Sequence, residues 1–293
     1  MAFSSIKQLL AATADQNLPL WEVIVNEDIK DRGSTREDSL RQMSALWTAM
    51  QTASAEYSEA ARSKSGLVGG DGGKMHAYAK AGSSIAGIFL SKVIAEALCM
   101  GENNACMKRI VAAPTAGSCG VLPAVLIPFS KANKTDDKEI IKALFVAAGF
   151  GQIIASRASI SGAEGGCQAE IGSASAMAAA ALVSLKGGSP IMCANACAMA
   201  LMNLLGLVCD PVAGLVEIPC VKRNVIGAMN AISSADMALA GIDSVIPADE
   251  VIDAMRSVGD LMPSALKETG IGGLAATPTG TAEAKKIYRS FTS

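Results

Sequence analysis

The sequence predicts an all-α fold: a single multi-helix domain over residues 1–293, with glycine-rich loops converging on one site. Three observations carry this expectation. Alanine, the best helix former, occurs 52 times in 293 residues, whereas aromatic residues make up only 4%; strands favour aromatic and β-branched residues. Apolar residues recur at helical spacing in one segment after another, and no stretch alternates apolar with polar residues as a half-buried strand does. The 28 glycines cluster between those segments.

In chain order, residues 2–14 and 17–31 read as two short helices. A longer one opens at Ser34, where Ser34-Thr-Arg-Glu37 fits a capping box. Leu40, Met43, Leu46, Trp47 and Met50 follow at helical spacing, and the segment is expected to reach about residue 62. Residues 65–75 form a polar, glycine-rich loop. Further helices are expected at 82–99, 120–131, 137–157, 171–186, 190–207, 224–241 and 247–259, each bounded by Gly, Pro, Asn or Asp. The stretches 109–113 and 215–219 come nearest to strands. There is no repeat of fixed period and no low-complexity linker.

Composition excludes several classes. Hydrophobic residues at 51% and charged residues at 18% supply a large core, so the chain is not disordered. Lys+Arg number 25 and Asp+Glu 27, a net charge of −2. That balance argues against binding nucleic acid through phosphate neutralisation, and no basic run marks a membrane-surface patch. The N-terminus lacks the basic and apolar regions of a secretory signal. Eight cysteines without such a signal suggest a cytoplasmic chain with reduced thiols, metal ligands or core residues. Residues 191–208 are apolar enough to span a membrane. However, Asn195 and Asn203 lie within them, Gly188 and Pro190 precede them and no basic belt flanks them, so a buried core helix is expected.

The cysteines sort by context. Cys99, Cys106, Cys193 and Cys197 lie in or beside apolar helical segments and read as small core residues. Cys119, Cys167, Cys209 and Cys220 lie in Gly/Pro-rich loops with polar neighbours. Thiolate ligands are expected in exposed, flexible surroundings with N–H donors to the sulfurs, and these loops offer them. A structural role for loop cysteines stands beside that reading. No Cys-x-x-Cys pair occurs, which removes zinc ribbons and ferredoxin-type runs.

Four segments together resemble one family. They are residues 113–120, 161–170, 210–224 and 272–280, which contain Gly165-Gly-Cys167-Gln-Ala-Glu170, Cys209-Asp-Pro-Val212 and Ile218-Pro-Cys220 followed by Lys222, Arg223 and Asn224. The chain is similar over essentially its whole length to the α, catalytic part of the iron–sulfur-dependent L-serine dehydratases. The resemblance implies that Cys167, Cys209 and Cys220 hold a [4Fe–4S] cluster, with Cys119 a small residue near the substrate loop and not a ligand. It further implies deamination of L-serine to pyruvate and ammonia without pyridoxal phosphate. Three protein thiolates leave one iron open to act as a Lewis acid on the serine hydroxyl. The chain lacks the N-terminal β-rich domain and the C-terminal cysteine of fused members, so it resembles the separate α subunit of the two-chain form. A β subunit is then the expected partner.

The resemblance assigns no catalytic base here, and the partner is an expected source of one. His76 is the only histidine, and a lone histidine is more often a surface or satisfied residue. Lys74, Thr115, Gly117 and Ser118 are the candidate substrate-binding residues. Lys74 would attract the serine carboxylate, or is an exposed structural lysine. Thr115 and Ser118, with the N–H groups of Gly117 and Gly120, would hydrogen-bond that carboxylate; alternatively Ser118 is a helix cap. Glu164 and Glu170 orient ligands or move protons, or are solvated loop carboxylates. Lys222 and Arg223 offset cluster charge or meet the partner, or are plain surface charges. Two other functions remain open: a related cluster lyase acting on L-cysteine, and a non-enzymatic helical protein binding a structural metal or sensing redox state.

Overall fold

The computed structural model describes residues 3–82 and 84–292. Ala2 and Ser83, which fall inside expected helices, lie outside the described residues. The helices are α1 Ile6–Gln16, α2 Leu20–Arg32, α3 Arg36–Ala55, α4 Asp71–Lys80, α5 Gly87–Ala105, α6 Val121–Asn133 and α7 Asp137–Arg157. They continue with the single turn α8 Gly162–Gly165, then α9 Ser173–Leu185, α10 Pro190–Met202, α11 Cys220–Leu239, α12 Ala248–Leu261 and α13 Pro278–Thr292. Among the described residues there is no strand, and the stretches 109–113 and 215–219 are irregular. One isolated parallel bridge joins Cys209 to Lys267.

α9 is the axis of the molecule. Its sequence SASAMAAAALVSL is buried continuously from Ser173 to Val183, and it packs against α6, α7, α10 and α11. Alanine gives both the helix propensity and the short side chains that let four neighbours approach one helix closely. Glycines extend this close packing: Gly151 of α7 lies against Met177, and Gly227 of α11 against Val121 and Ile171. The same core takes in Leu9 of α1, Val23 of α2, Trp47 of α3 and Ile252 of α12. α7 is long and apolar enough to cross a membrane, but 61% of its apolar window is buried inside the protein, as befits a core helix. The apolar segment expected to begin at 190 is the shorter α10, ending at Met202.

Several element ends differ from expectation for identifiable reasons. α3 is capped one residue later than the capping box suggests: the Thr35 hydroxyl accepts from the Asp38 N–H at 3.1 Å. It also ends at Ala55, ahead of an irregular polar stretch. The expected loop 65–75 stops at Gly70, because Asp71 begins α4. Glu102 of α5 accepts the N–H groups of Asp71 at 2.8 Å and Gly72 at 3.3 Å. α11 begins at Cys220, so Lys222, Arg223 and Asn224 are helical and not in a loop. α13 was not anticipated.

Candidate active site

Four irregular segments meet beside the N-terminal end of α11. The first cysteine, Cys167, follows α8 and opens a π-helical turn over Gln168–Gly172. Such turns reorient side chains within an otherwise helical run. Gln168 ties this turn to the segment before Cys209. Its backbone N–H donates to Leu207 O at 2.9 Å, its Nε2 to Met255 O at 3.0 Å, and its Oε1 accepts the Gly206 N–H at 2.9 Å. Cys209 is held by its bridge: its N–H donates to Leu266 O at 2.8 Å and its O accepts the Glu268 N–H at 2.7 Å. Cys220 is the first residue of α11, where free N–H groups and the helix dipole favour a thiolate.

These three thiols are far apart in sequence, yet Cys167 and Cys220 both raise the pKa of Cys209, and Cys167 raises that of Cys220. Burial first, then Cys167, Glu170 and Cys220, holds the Cys209 thiol well above its usual range. Burial also pushes Cys220 up to about 12, with Cys167 and Glu170 adding to it. Cys167 is likewise raised to about 12 by burial, while the nearby Arg223 guanidinium pulls the other way through its charge. The three are 3%, 3% and 8% exposed. The expectation that ligand cysteines occupy exposed surroundings is therefore corrected. Here the thiols sit under the loops, and polar partners rather than solvent mark them out.

Those partners form a connected frame. Arg223 donates from Nη2 to Asp210 Oδ1 at 2.8 Å and from Nη1 to Val208 O at 2.7 Å. Asp210 Oδ2 accepts the Leu274 N–H at 2.7 Å, which pins the 270–277 loop behind Cys209. Asn224 joins α11 to the 117–120 turn: its Oδ1 accepts the Gly120 N–H at 2.8 Å, and its Nδ2 donates to Gly117 O at 2.8 Å and Cys220 O at 3.0 Å. Arg223 is buried, so the surface-charge reading fails for it. Lys222 is exposed and reaches Asp71 at 3.7 Å. The parts played by Asp210, Gln168 and Asn224 were not singled out from the sequence, although all three stand in the quoted motifs. Their effect depends on partners 13 to 107 positions away.

The 113–120 segment faces the thiols through Glu170. Thr115 Oγ1 donates to Glu170 Oε1 at 2.7 Å. Gly117 packs closely against the Glu170 carboxyl, and Gly162 against both Glu170 Oε2 and Cys209 Sγ, where a side chain would have no room. Burial raises the Glu170 pKa, the Thr115 hydrogen bond opposes the rise, and Glu268 adds to it. Ser118 is fully buried and its hydroxyl lies 3.0 Å from that of Thr115. It does not cap α6, whose N-cap is Gly120. Cys119 points the other way, with Sγ 3.7 Å from Met100 O in the core. Glu164 is exposed and accepts from Ser159 Oγ at 2.6 Å. Lys74 is on α4, not in a loop, with its ammonium 2.9 Å from Asp71 Oδ1 and its side chain 78% exposed. His76, also on α4, lies in a different cavity beside Glu96.

Among the described residues, no three His, Cys, Asp or Glu side chains are arranged to hold a single metal ion. A cluster makes a different demand, since each thiolate binds its own iron. Three neighbouring buried thiols, one of them beside a buried guanidinium and one at a helix N-terminus, fit that demand in donor type and charge.

Comparison with known proteins bears on the same residues. The sequence pattern described as "Serine dehydratase alpha chain" matches residues 15–275. The "Probable L-serine dehydratase, alpha chain" of Bacillus subtilis is 49% identical over 286 residues, covering 98% of this chain and 95% of that protein. The "L-serine dehydratase, alpha chain" of Peptoniphilus asaccharolyticus is 41% identical over 289 residues, covering 98% of each. The "L-serine dehydratase TdcG" of Escherichia coli is 46% identical over 181 residues, which are 61% of this chain and 40% of that longer protein.

Proposed function

The chain belongs to the serine dehydratase alpha chain family, and from that premise we propose that it is the catalytic α subunit of a cytoplasmic, iron–sulfur-dependent L-serine ammonia-lyase. Its substrate is L-serine, its products are pyruvate and ammonia, and its partner is a β subunit. The observation that carries the cofactor assignment is the mutual approach of Cys167, Cys209 and Cys220, with Arg223 against the first of them. These three residues would hold a [4Fe–4S] cluster. When bound, that cluster supplies a Lewis acid for the poorly leaving serine hydroxyl.

The chain's own residues then have distinct tasks. Arg223 offsets the negative charge of three buried thiolates, and Asp210 fixes the guanidinium in place. Asn224 sets the 117–120 turn against α11 and so fixes where substrate lies relative to the thiols. Thr115, Gly117 and Ser118 form the substrate turn, and Lys74 attracts the serine carboxylate from the solvent side. Burial raises the Glu170 pKa, and its Oε2 faces Gly162 and the Cys209 thiol, so this carboxyl is the group placed to pass a proton to the departing hydroxide. The aminoacrylate left after elimination tautomerises and loses ammonia in water. No histidine accompanies these groups, since His76 is elsewhere, so the acceptor of the α-proton is assigned to the β subunit.

The test is anaerobic reconstitution with iron and sulfide, then a pyruvate assay on L-serine and a sulfide assay on L-cysteine, with and without the β subunit. Pyruvate formed from L-serine only when both chains are present is the expected result. Full turnover by this chain alone would place the base within it. Sulfide release from L-cysteine without any serine turnover would overturn the substrate assignment.

A further inference from the structure

A second polar cavity, of about 430 Å³, lies between α3, α4, α5 and α6. Its wall includes Trp47, Ser54, His76, Glu96, Ser130 and Lys131, none of which belongs to the frame around the three thiols. The volume is that of a small-ligand site.

Glu96 is the anomaly. It is 5% exposed, yet its Oε1 has no hydrogen-bond partner. Buried carboxyl oxygens are almost always paired, because leaving one unpaired forfeits its hydration without return. Ser54, Lys131 and His76 are the neighbours that bear on the carboxyl, Ser54 through its nearby hydroxyl and the other two through their charge. Lys131 is exposed at the end of α6, and His76 is exposed on α4. The cavity thus holds an unpaired buried acceptor on one wall and two cationic or donating groups on others.

We propose that this cavity binds a free α-amino acid, whose ammonium group pairs with Glu96 and whose carboxylate pairs with Lys131 and His76. A simple anion would meet Glu96, and a simple cation would meet Lys131. A zwitterion with both charges on neighbouring groups satisfies both, its ammonium meeting the Glu96 carboxyl where that residue lines the cavity. The site is separate from the catalytic one, and its occupancy does not depend on a cluster.

The indole of Trp47 offers a direct readout. It is 1% exposed, lines the cavity, and is fixed by a 2.7 Å hydrogen bond from Nε1 to Asp137 Oδ1. In the full-length, iron-free chain carrying Trp21→Phe, titration with L-alanine should change Trp47 emission saturably. Acetate alone and ethylamine alone should not. Glu96→Gln and Lys131→Met should each weaken L-alanine binding about tenfold or more, the scale of one charge-assisted hydrogen bond. Lys131 is exposed, so its variant keeps the fold and remains informative if Glu96→Gln does not. A flat titration, an unchanged dissociation constant in Lys131→Met, or acetate binding as tightly as L-alanine would overturn the proposal.

Discussion

Arg223 separates a ligand cysteine from a core cysteine more clearly than burial does. Cys119 is 2% exposed and Cys193 is 1% exposed, barely different from Cys167 and Cys209. What distinguishes the candidate ligands is a guanidinium and a network of fixed N–H and C=O partners nearby. Arg223→Met would leave Asp210 as a buried, uncompensated carboxylate, and removing one partner of a buried pair costs about 3–5 kcal/mol. Urea denaturation should show a loss of that size, together with reduced iron uptake. Thr115 permits a milder test on the substrate side. Thr115→Val removes the hydrogen bond to Glu170 while keeping shape. It should raise the KM for L-serine or lower kcat in the reconstituted two-chain enzyme, with iron content unchanged. Equal loss of iron would show that the turn supports the thiols instead of the substrate.

α9 shows why the helices were largely legible in the sequence and their ends were not. Alanine content and apolar periodicity are local properties, so α6, α7 and α12 lie within two residues of their expected limits. α4 is the opposite case. Its first turn, Asp71-Gly-Gly, has poor intrinsic helix propensity and reads as loop. It is helical because Glu102, 31 positions on, accepts its N–H groups, and because Gly72 packs against Cys99 and Tyr57 where a side chain has no room. The candidate site divides in the same way. The cysteine motifs were visible as loop signatures, whereas the burial of the thiols and the pairing of Arg223 with Asp210 exist only after four segments have met. For α9 itself the close-packed alanines lead to a direct expectation. Ala179 is fully buried, and Ala179→Leu should destabilise the protein by about 1–3 kcal/mol through overpacking. The drop should appear as a lower urea midpoint with an unchanged m-value. A neutral result would mean that α9 has slack the structure does not show.

On the scale of the whole molecule, a helical bundle centred on α9 leaves one end for chemistry. The turns after α8, before α11 and before α6 all end there, joined by Gln168, Asn224, Asp210 and Arg223. The central claim is that this end holds an iron–sulfur cluster on Cys167, Cys209 and Cys220. The most direct measurement is iron and acid-labile sulfide content after anaerobic reconstitution of the chain and of its Cys167→Ser, Cys209→Ser, Cys220→Ser and Cys119→Ser variants. The account predicts equal amounts of iron and sulfide in the parent chain and in Cys119→Ser, and loss of both in each of the other three. Full iron and sulfide retained by Cys209→Ser, or lost equally by Cys119→Ser, would contradict it.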